Sequence, residues 1–232
     1  MKKDHKFLLV IFVLVICVSL LEVNYNVKKA VFNSNVNKLN NTVLHTDQDR
    51  DKKMIAITFD DGPGQYTAKL LEGLKKLDAR VTFFLLGEKV ARYPETTKMI
   101  IESDHLIGNH TYSHIDLTNY SSKRIQKEFR SMSELIVELG GEETVYCRPP
   151  YGAYSEKVIE ALNVPIILWS VDTQDWKLKN AKQIAQYIKK TAKDGDIVLL
   201  HEIFETSVDG VLLAIEEMQQ EGFVFVTVEE LL

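Results

Sequence analysis

From Met54 to the C-terminus, short runs of β-branched and aromatic residues alternate with longer stretches whose apolar positions recur at helical spacing. The short runs predict strands at Met54–Phe59, Val81–Leu85, Leu106–Asn109, Val145–Cys147, Pro165–Trp169, Ile197–Leu200 and Phe223–Val226. The longer stretches predict helices near Thr67–Leu77, Val90–Ser103, Ser121–Leu139, Ser155–Asn163, Ala181–Lys193 and Val208–Gln220. Ser121, Ser155 and Asn180 are placed to cap three of them. Strand and helix in alternation imply parallel strands joined by helical crossovers. Periodicity leaves two architectures open: a barrel one unit short of eight, and an open doubly wound sheet. In both, functional groups gather at the carboxyl ends of the strands.

The N-terminal part follows another pattern. Lys2, Lys3 and Lys6 precede an unbroken apolar or small run from Phe7 to Leu21, which Glu22 ends. A basic flank followed by an apolar run reads as an export signal. The run falls a little short of the roughly 17–25 residues of a spanning helix. No A-x-A-like cleavage site follows it, and Ile16 before Cys17 is too bulky for a usual lipoprotein signal. Residues 1–22 are therefore read as a signal peptide or an uncleaved membrane anchor. If uncleaved, residues 7–21 sit in the membrane and the positive flank sends the rest outward. Residues 23–51 hold Asn33, Asn35, Asn37, Asn40 and Asn41, then enter a charged run from Asp47 to Lys53, and read as a flexible polar tether. Residues 52–232 remain as the folded domain.

Composition narrows the function classes only slightly. A chain of 232 residues suits one domain plus an appendage, and 45% hydrophobic with 26% charged residues is an ordinary globular balance. The formal net charge of −5 offers no basic footprint for nucleic acid. Of the 2 cysteines, Cys17 lies in the apolar run and Cys147 far along the chain, so no disulfide is expected between them.

The chemistry-bearing residues cluster just after the predicted strands: Asp60 and Asp61, His110 and His114, Arg148, Asp172 and Asp175, and His201. In Thr58-Phe59-Asp60-Asp61-Gly62-Pro63, two carboxylates meet a sharp turn, which by itself could be no more than a helix cap. In His110-Thr111-Tyr112-Ser113-His114, two imidazoles four apart share a face if the backbone turns helically, and with Asp60 or Asp61 they could chelate a divalent ion. Arg148-Pro149-Pro150-Tyr151-Gly152 is a stiffened loop whose arginine can clamp a carboxylate. The segment Trp169 to Trp176 sets Asp172 and Asp175 beside the 2 tryptophans, with Trp169 expected in the core and Trp176 on a site wall. Ile197-Val198-Leu199-Leu200-His201 is a buried-strand run ending in a histidine.

Taken together, TFDDGP, HTYSH, RPPYG, DTQDW and LLH resemble the five motifs of the polysaccharide deacetylase family, also called carbohydrate esterase family 4 or the NodB-homology domain. The resemblance covers residues 52–232 and loses no motif position; Asp104, where relatives often carry glycine, is a small departure. It implies a distorted (β/α)7 barrel, preceded here by the signal or anchor helix and the tether. It implies that Asp61, His110 and His114 bind one divalent ion, zinc as the expected one, with cobalt, manganese or nickel able to substitute. Asp60 is then the general base, held by Arg148, and His201 the general acid, tuned by Asp175. The backbone N–H of Tyr151 helps hold the oxyanion, and Leu199 and Trp176 shape the acetyl pocket. The implied activity is release of acetate from N-acetylglucosamine or N-acetylmuramic acid in a cell-wall or surface polysaccharide, by a monomer outside the cytoplasm. An O-acetyl esterase on xylan or another glycan and an inactive glycan-binding module are the alternatives.

Overall fold

The computed structural model describes residues 52–232; the anchor and tether expected at 1–51 lie outside the described residues. The elements run β1 (Lys53–Asp60), α1 (Thr67–Lys76), β2 (Thr82–Leu85), α2 (Gly87–Arg92), α3 (Pro94–Ile101), β3 (Leu106–Asn109), α4 (Ser122–Glu138) and α5 (Glu156–Leu162). They continue β4 (Val171–Asp172), α6 (Asp175–Leu178), α7 (Ala181–Thr191), β5 (Ile197–Leu200), α8 (Glu205–Gln219), β6 (Phe223–Val226) and α9 (Val228–Leu231). Single 3-10 turns fall at Leu117–Asn119 and Pro150–Gly152. Among the described residues no helix is long and apolar enough to cross a membrane.

The fold is α/β with a parallel sheet. The strand order is β3-β2-β1-β5-β4, and β6 pairs with the N-terminal half of β1. Isolated parallel bridges extend the ladder from Asn109 to Cys147 and from Cys147 to Ile166. The strands expected at Val145–Cys147 and Pro165–Trp169 are thus reduced to one bridging residue each, and a strand not expected, Val171–Asp172, pairs with β5. Pro165 has no N–H to give to a ladder. The Ile167 and Leu168 carbonyls are taken instead by the Arg148 guanidinium, at 3.1 and 2.9 Å.

Helix expectations hold with one break. The helix expected over Val90–Ser103 is two, α2 and α3, with Pro94 opening the second. The residue before a proline is pushed out of the α region, and Tyr93 sits at φ −125°, ψ 57°. Asn180 caps α7 by accepting from the Gln183 N–H at 3.0 Å. Ser121 and Ser155 occupy the cap positions of α4 and α5 but make no capping bond.

Alternation along β1 separates the core from the site. Successive strand residues point to opposite faces. Ile55, Ile57 and Phe59 join Phe83, Leu85, Val198, Leu200 and the helices in the main core. Ala56 packs on the other face with Phe84, Ile167 and Val228, and by the same parity Thr58 and Asp60 point there. Each large apolar side chain buried on the first face contributes about 1.5–3 kcal/mol. That anchorage lets the opposite face carry a buried carboxylate and guanidinium. Gly108 on β3 keeps room there: a Cβ at this position would lie 2.4 Å from the Phe84 ring.

Candidate active site

Asp60 is the last residue of β1 and 3% exposed. Its Oδ1 accepts from Arg148 Nη1 at 2.8 Å. Arg148 is fully buried and spends its other donors on Thr58 Oγ1 at 2.7 Å and on the two carbonyls named above. Its guanidinium lies 4.1 Å from the Phe84 ring centroid and 5.6 Å from that of Trp169. Breaking such a pair by removing one partner costs about 3–5 kcal/mol, because the other charge stays buried alone. Trp169, expected in the core, is instead half-buried beside Arg148 and against Gly152.

One residue later the chain leaves the strand. Asp61 adopts a left-handed conformation, φ 69°, and its carboxylate and that of Asp60 both approach His110 Nε2, Asp60 Oδ2 at 3.7 Å. Asp61 Oδ1 lies 3.6 Å from His110 Nε2 and 3.3 Å from His114 Nε2, and it is buried without a hydrogen-bond partner. His110 Nδ1 meets the Arg148 carbonyl at 2.6 Å. A carbonyl only accepts, so Nδ1 carries the proton and the Nε2 lone pair faces Asp61. The two imidazoles do not share a helix face as expected. Residues 110–114 form an irregular turn after β3, with Thr111 at φ 73° and His114 at φ 54°. Burial pulls His114 below the ordinary imidazole value, and the Asp61 charge opposes it.

Asp61, His110 and His114 each offer one ligand atom, all within 4.8 Å of one another. Tetrahedral ligands at zinc distances stand about 3.4 Å apart, close to the two separations given above. An unpartnered buried carboxylate oxygen facing two imidazole nitrogens fits a divalent ion.

On the side of β1 opposite β2, β5 is followed directly by His201. Its Nδ1 contacts Asp175 Oδ1 at 2.9 Å, and its backbone N–H donates to Asp175 Oδ2 at 2.7 Å. Asp175 is fully buried at the start of α6, after a left-handed Gln174. Burial by itself lowers the His201 pKa, but the hydrogen bond to Asp175 and the Asp175 charge outweigh it and lift the pKa to about 9. Asp172, the other acid of that segment, accepts from the Gln174 N–H at 2.9 Å and plays no part with His201.

The remaining residues of interest divide by exposure. Tyr151 has φ 62°, is 70% exposed and packs edge-on to His114 at 4.8 Å. Trp176 is half-exposed on α6. Leu199 is buried on β5, in register with Thr58 and therefore on the Asp60 face of the sheet. Two residues not expected from the sequence also belong to the surroundings. Thr58 links Arg148 to the Val198 carbonyl, and its polarity within a buried strand was the available signal. Glu202 is fully buried with neither carboxyl oxygen partnered, and it fills the space a side chain at Gly62 would need. Burial pushes its pKa up to about 8.

A family model described as polysaccharide deacetylase matches residues 47–164. The peptidoglycan-N-acetylmuramic acid deacetylase PdaC of Bacillus subtilis (strain 168) is 36% identical over 184 residues, covering 79% of this chain and 39% of that protein. The peptidoglycan-N-acetylglucosamine deacetylase PgdA of Listeria monocytogenes serotype 1/2a (strain 10403S) is 36% identical over 183 residues, 78% of this chain and 39% of that protein. This chain therefore spans well under half the length of either relative. The solved structure of Bacillus subtilis peptidoglycan deacetylase PdaC matches with a TM-score of 0.76 at 36% identity, over 78% of this chain and 90% of that one.

Proposed function

This chain belongs to the polysaccharide deacetylase family, and from that premise we propose that it hydrolyses N-acetyl groups from a cell-wall polysaccharide rich in N-acetylglucosamine or N-acetylmuramic acid. The observation that carries this reading is the arrangement around Asp60. An arginine-held carboxylate stands between a triad suited to a divalent ion and a histidine tuned by a buried aspartate. The bridges from Asn109 through Cys147 to Ile166 support reading the sheet as a distorted (β/α)7 barrel. The basic flank and apolar run at the N-terminus support an extracytoplasmic enzyme exported or anchored by residues 1–22.

Asp61, His110 and His114 hold the ion. When bound, it polarises the acetyl carbonyl and lowers the pKa of water toward about 7. Asp60 accepts the proton of the attacking water through the carboxylate oxygen not engaged by Arg148. Arg148 keeps that carboxylate oriented. The Tyr151 backbone N–H stabilises the oxyanion, an effect worth about 3–4 kcal/mol per donor in comparable sites. His201 protonates the departing amine, which otherwise returns to the carbonyl. Leu199 and Trp176 enclose the acetyl methyl.

Acetate release on peptidoglycan, chitooligosaccharides and acetylated xylan tests this. We expect acetate from the N-acetylated polymers, lost on chelation and restored by zinc. Acetate from xylan alone identifies an O-acetyl esterase instead. No acetate from any of the three, with metal supplied, identifies a binding module.

The pH profile provides a separate test. Asp60 works ionised and His201 works protonated, so the rate is bell-shaped in pH. His201 has a raised pKa, so its acid form persists until pH passes about 9. Asp175→Asn removes the charge responsible, and the descending limb moves to lower pH by about one unit or more. A bound cation pulls this limb down in both proteins, so the difference between them is the measurement. An unmoved limb contradicts the acid role of His201.

A further inference from the structure

The loop that carries both imidazoles is held by a residue from another element. Left-handed conformations at non-glycine residues cost about 1–3 kcal/mol each and persist only where their surroundings over-determine them. Thr111 and His114 are two such residues within five positions of each other. Local bonds account for the two ends of the turn. Asn109 Oδ1 accepts from the Thr111 N–H at 2.9 Å, and Thr111 Oγ1 accepts from the His114 N–H at 3.1 Å.

The middle of the turn is held from α4. Glu128 Oε2 accepts from the backbone N–H of Tyr112 at 3.1 Å and of Ser113 at 2.9 Å. The Ser113 hydroxyl lies 3.0 Å from both oxygens of the same carboxylate. Arg124, one turn earlier on the helix, closes the cluster with Nη2 2.6 Å from Oε1. The Glu128 side chain is 3% exposed and sits on the apolar face of α4, between the fully buried Ile125 and Met132. A carboxylate placed there without partners costs several kcal/mol. A leucine would serve packing better, so the acid at this position answers to the loop.

We propose that Glu128 is a positioning residue for the metal triad: by fixing the backbone of Tyr112 and Ser113, it sets His110 and His114 in the relative placement that binds a divalent ion. The two imidazole centroids stand 5.1 Å apart, at 60°. Three hydrogen bonds to the intervening residues restrict how that separation varies. The inference rests on the metal reading of Asp61, His110 and His114.

Zinc titration of the chelator-stripped full chain by calorimetry tests it. Loss of an outer partner of a metal ligand typically weakens metal affinity 10–100-fold. Glu128→Ala is expected to raise the zinc Kd by about that factor. Glu128→Asp keeps the charge but withdraws the acceptor by one methylene, and is expected to do the same. Glu128→Gln retains an oxygen that accepts both N–H groups and is expected to stay within about threefold of wild type. In the metal-free chain, amide exchange at Tyr112 and Ser113 accelerates in the first two variants and not in the third. Wild-type zinc affinity in folded Glu128→Asp overturns the proposal, as does a Glu128→Gln variant as impaired as Glu128→Asp. If Glu128→Ala does not fold, the aspartate and glutamine variants still decide. A wild-type chain that takes up no zinc brings down the metal reading and this inference with it, an outcome distinct from unchanged affinity in the variants.

Discussion

Replacing Asp60 by asparagine is expected to lower kcat for acetate release about 10²–10⁴-fold while leaving zinc uptake intact. Asparagine keeps the shape and an oxygen that accepts from Arg148, so the geometry around Thr58 and Arg148 survives. It loses the capacity to take a proton from water. In the proposed division of labour the ion is held by Asp61 and by the turn after β3, whose contacts with each other do not change, and the asparagine still fills the position 3.7 Å from His110 Nε2. Some stability is lost, because the buried guanidinium now faces a neutral amide. The cost is bounded above by the roughly 3–5 kcal/mol of a fully broken buried pair. Melting curves on the variant separate this loss from the loss of turnover. Equal loss of zinc in Asp60→Asn and Asp61→Asn would overturn the division of labour between the two acids.

His110→Ala and Asp61→Asn are expected to abolish activity by the other route, through the ion. Structural zinc sites bind with about 10–16 kcal/mol over four ligands, so one ligand is worth roughly 3 kcal/mol, or about 10²–10³-fold in Kd. His110→Ala has a second effect, since the Arg148 carbonyl loses its 2.6 Å partner. Asp61→Asn is the milder change and recovers part of its turnover in excess zinc, whereas Asp60→Asn recovers none. Calorimetric titration of the metal-free chains measures both. Wild-type affinity in His110→Ala sinks the assignment of the triad.

Much of this molecule is legible in its sequence because its regularities are local. The hydrophobic period of two places Ile55, Ile57 and Phe59 on one face of β1, which puts Thr58 and Asp60 on the other. The helical period marks α4 and α8, and Pro94 marks where an expected single helix divides. Cys147 and Ile166 show the limit. Their segments have strand composition, but the carbonyls of Ile167 and Leu168 are claimed by a side chain nearly twenty residues away in sequence, so they do not extend into full strands. No window of local pattern contains that competition. Glu128 lies between these cases: an acid on an apolar helix face is a visible anomaly, while the loop that it holds is not visible.

What the sequence determined unaided is the alternation of five strands, β1, β2, β3, β5 and β6, with helices and the set of acids and imidazoles that follow strand ends. Those depend on periodicity and turn chemistry, which act over a few residues. The tertiary structure decided which groups meet. Asp61 turns left-handed toward two histidines that share an irregular turn and not a helix face. Asp60 stays on the strand and meets Arg148, which is fully buried. Of Asp172 and Asp175, only the second reaches His201, because the short turn of α6 aims it there. These pairings join residues up to 88 positions apart. They follow from strand register and burial, which act through space once the chain has folded and leave no local period behind.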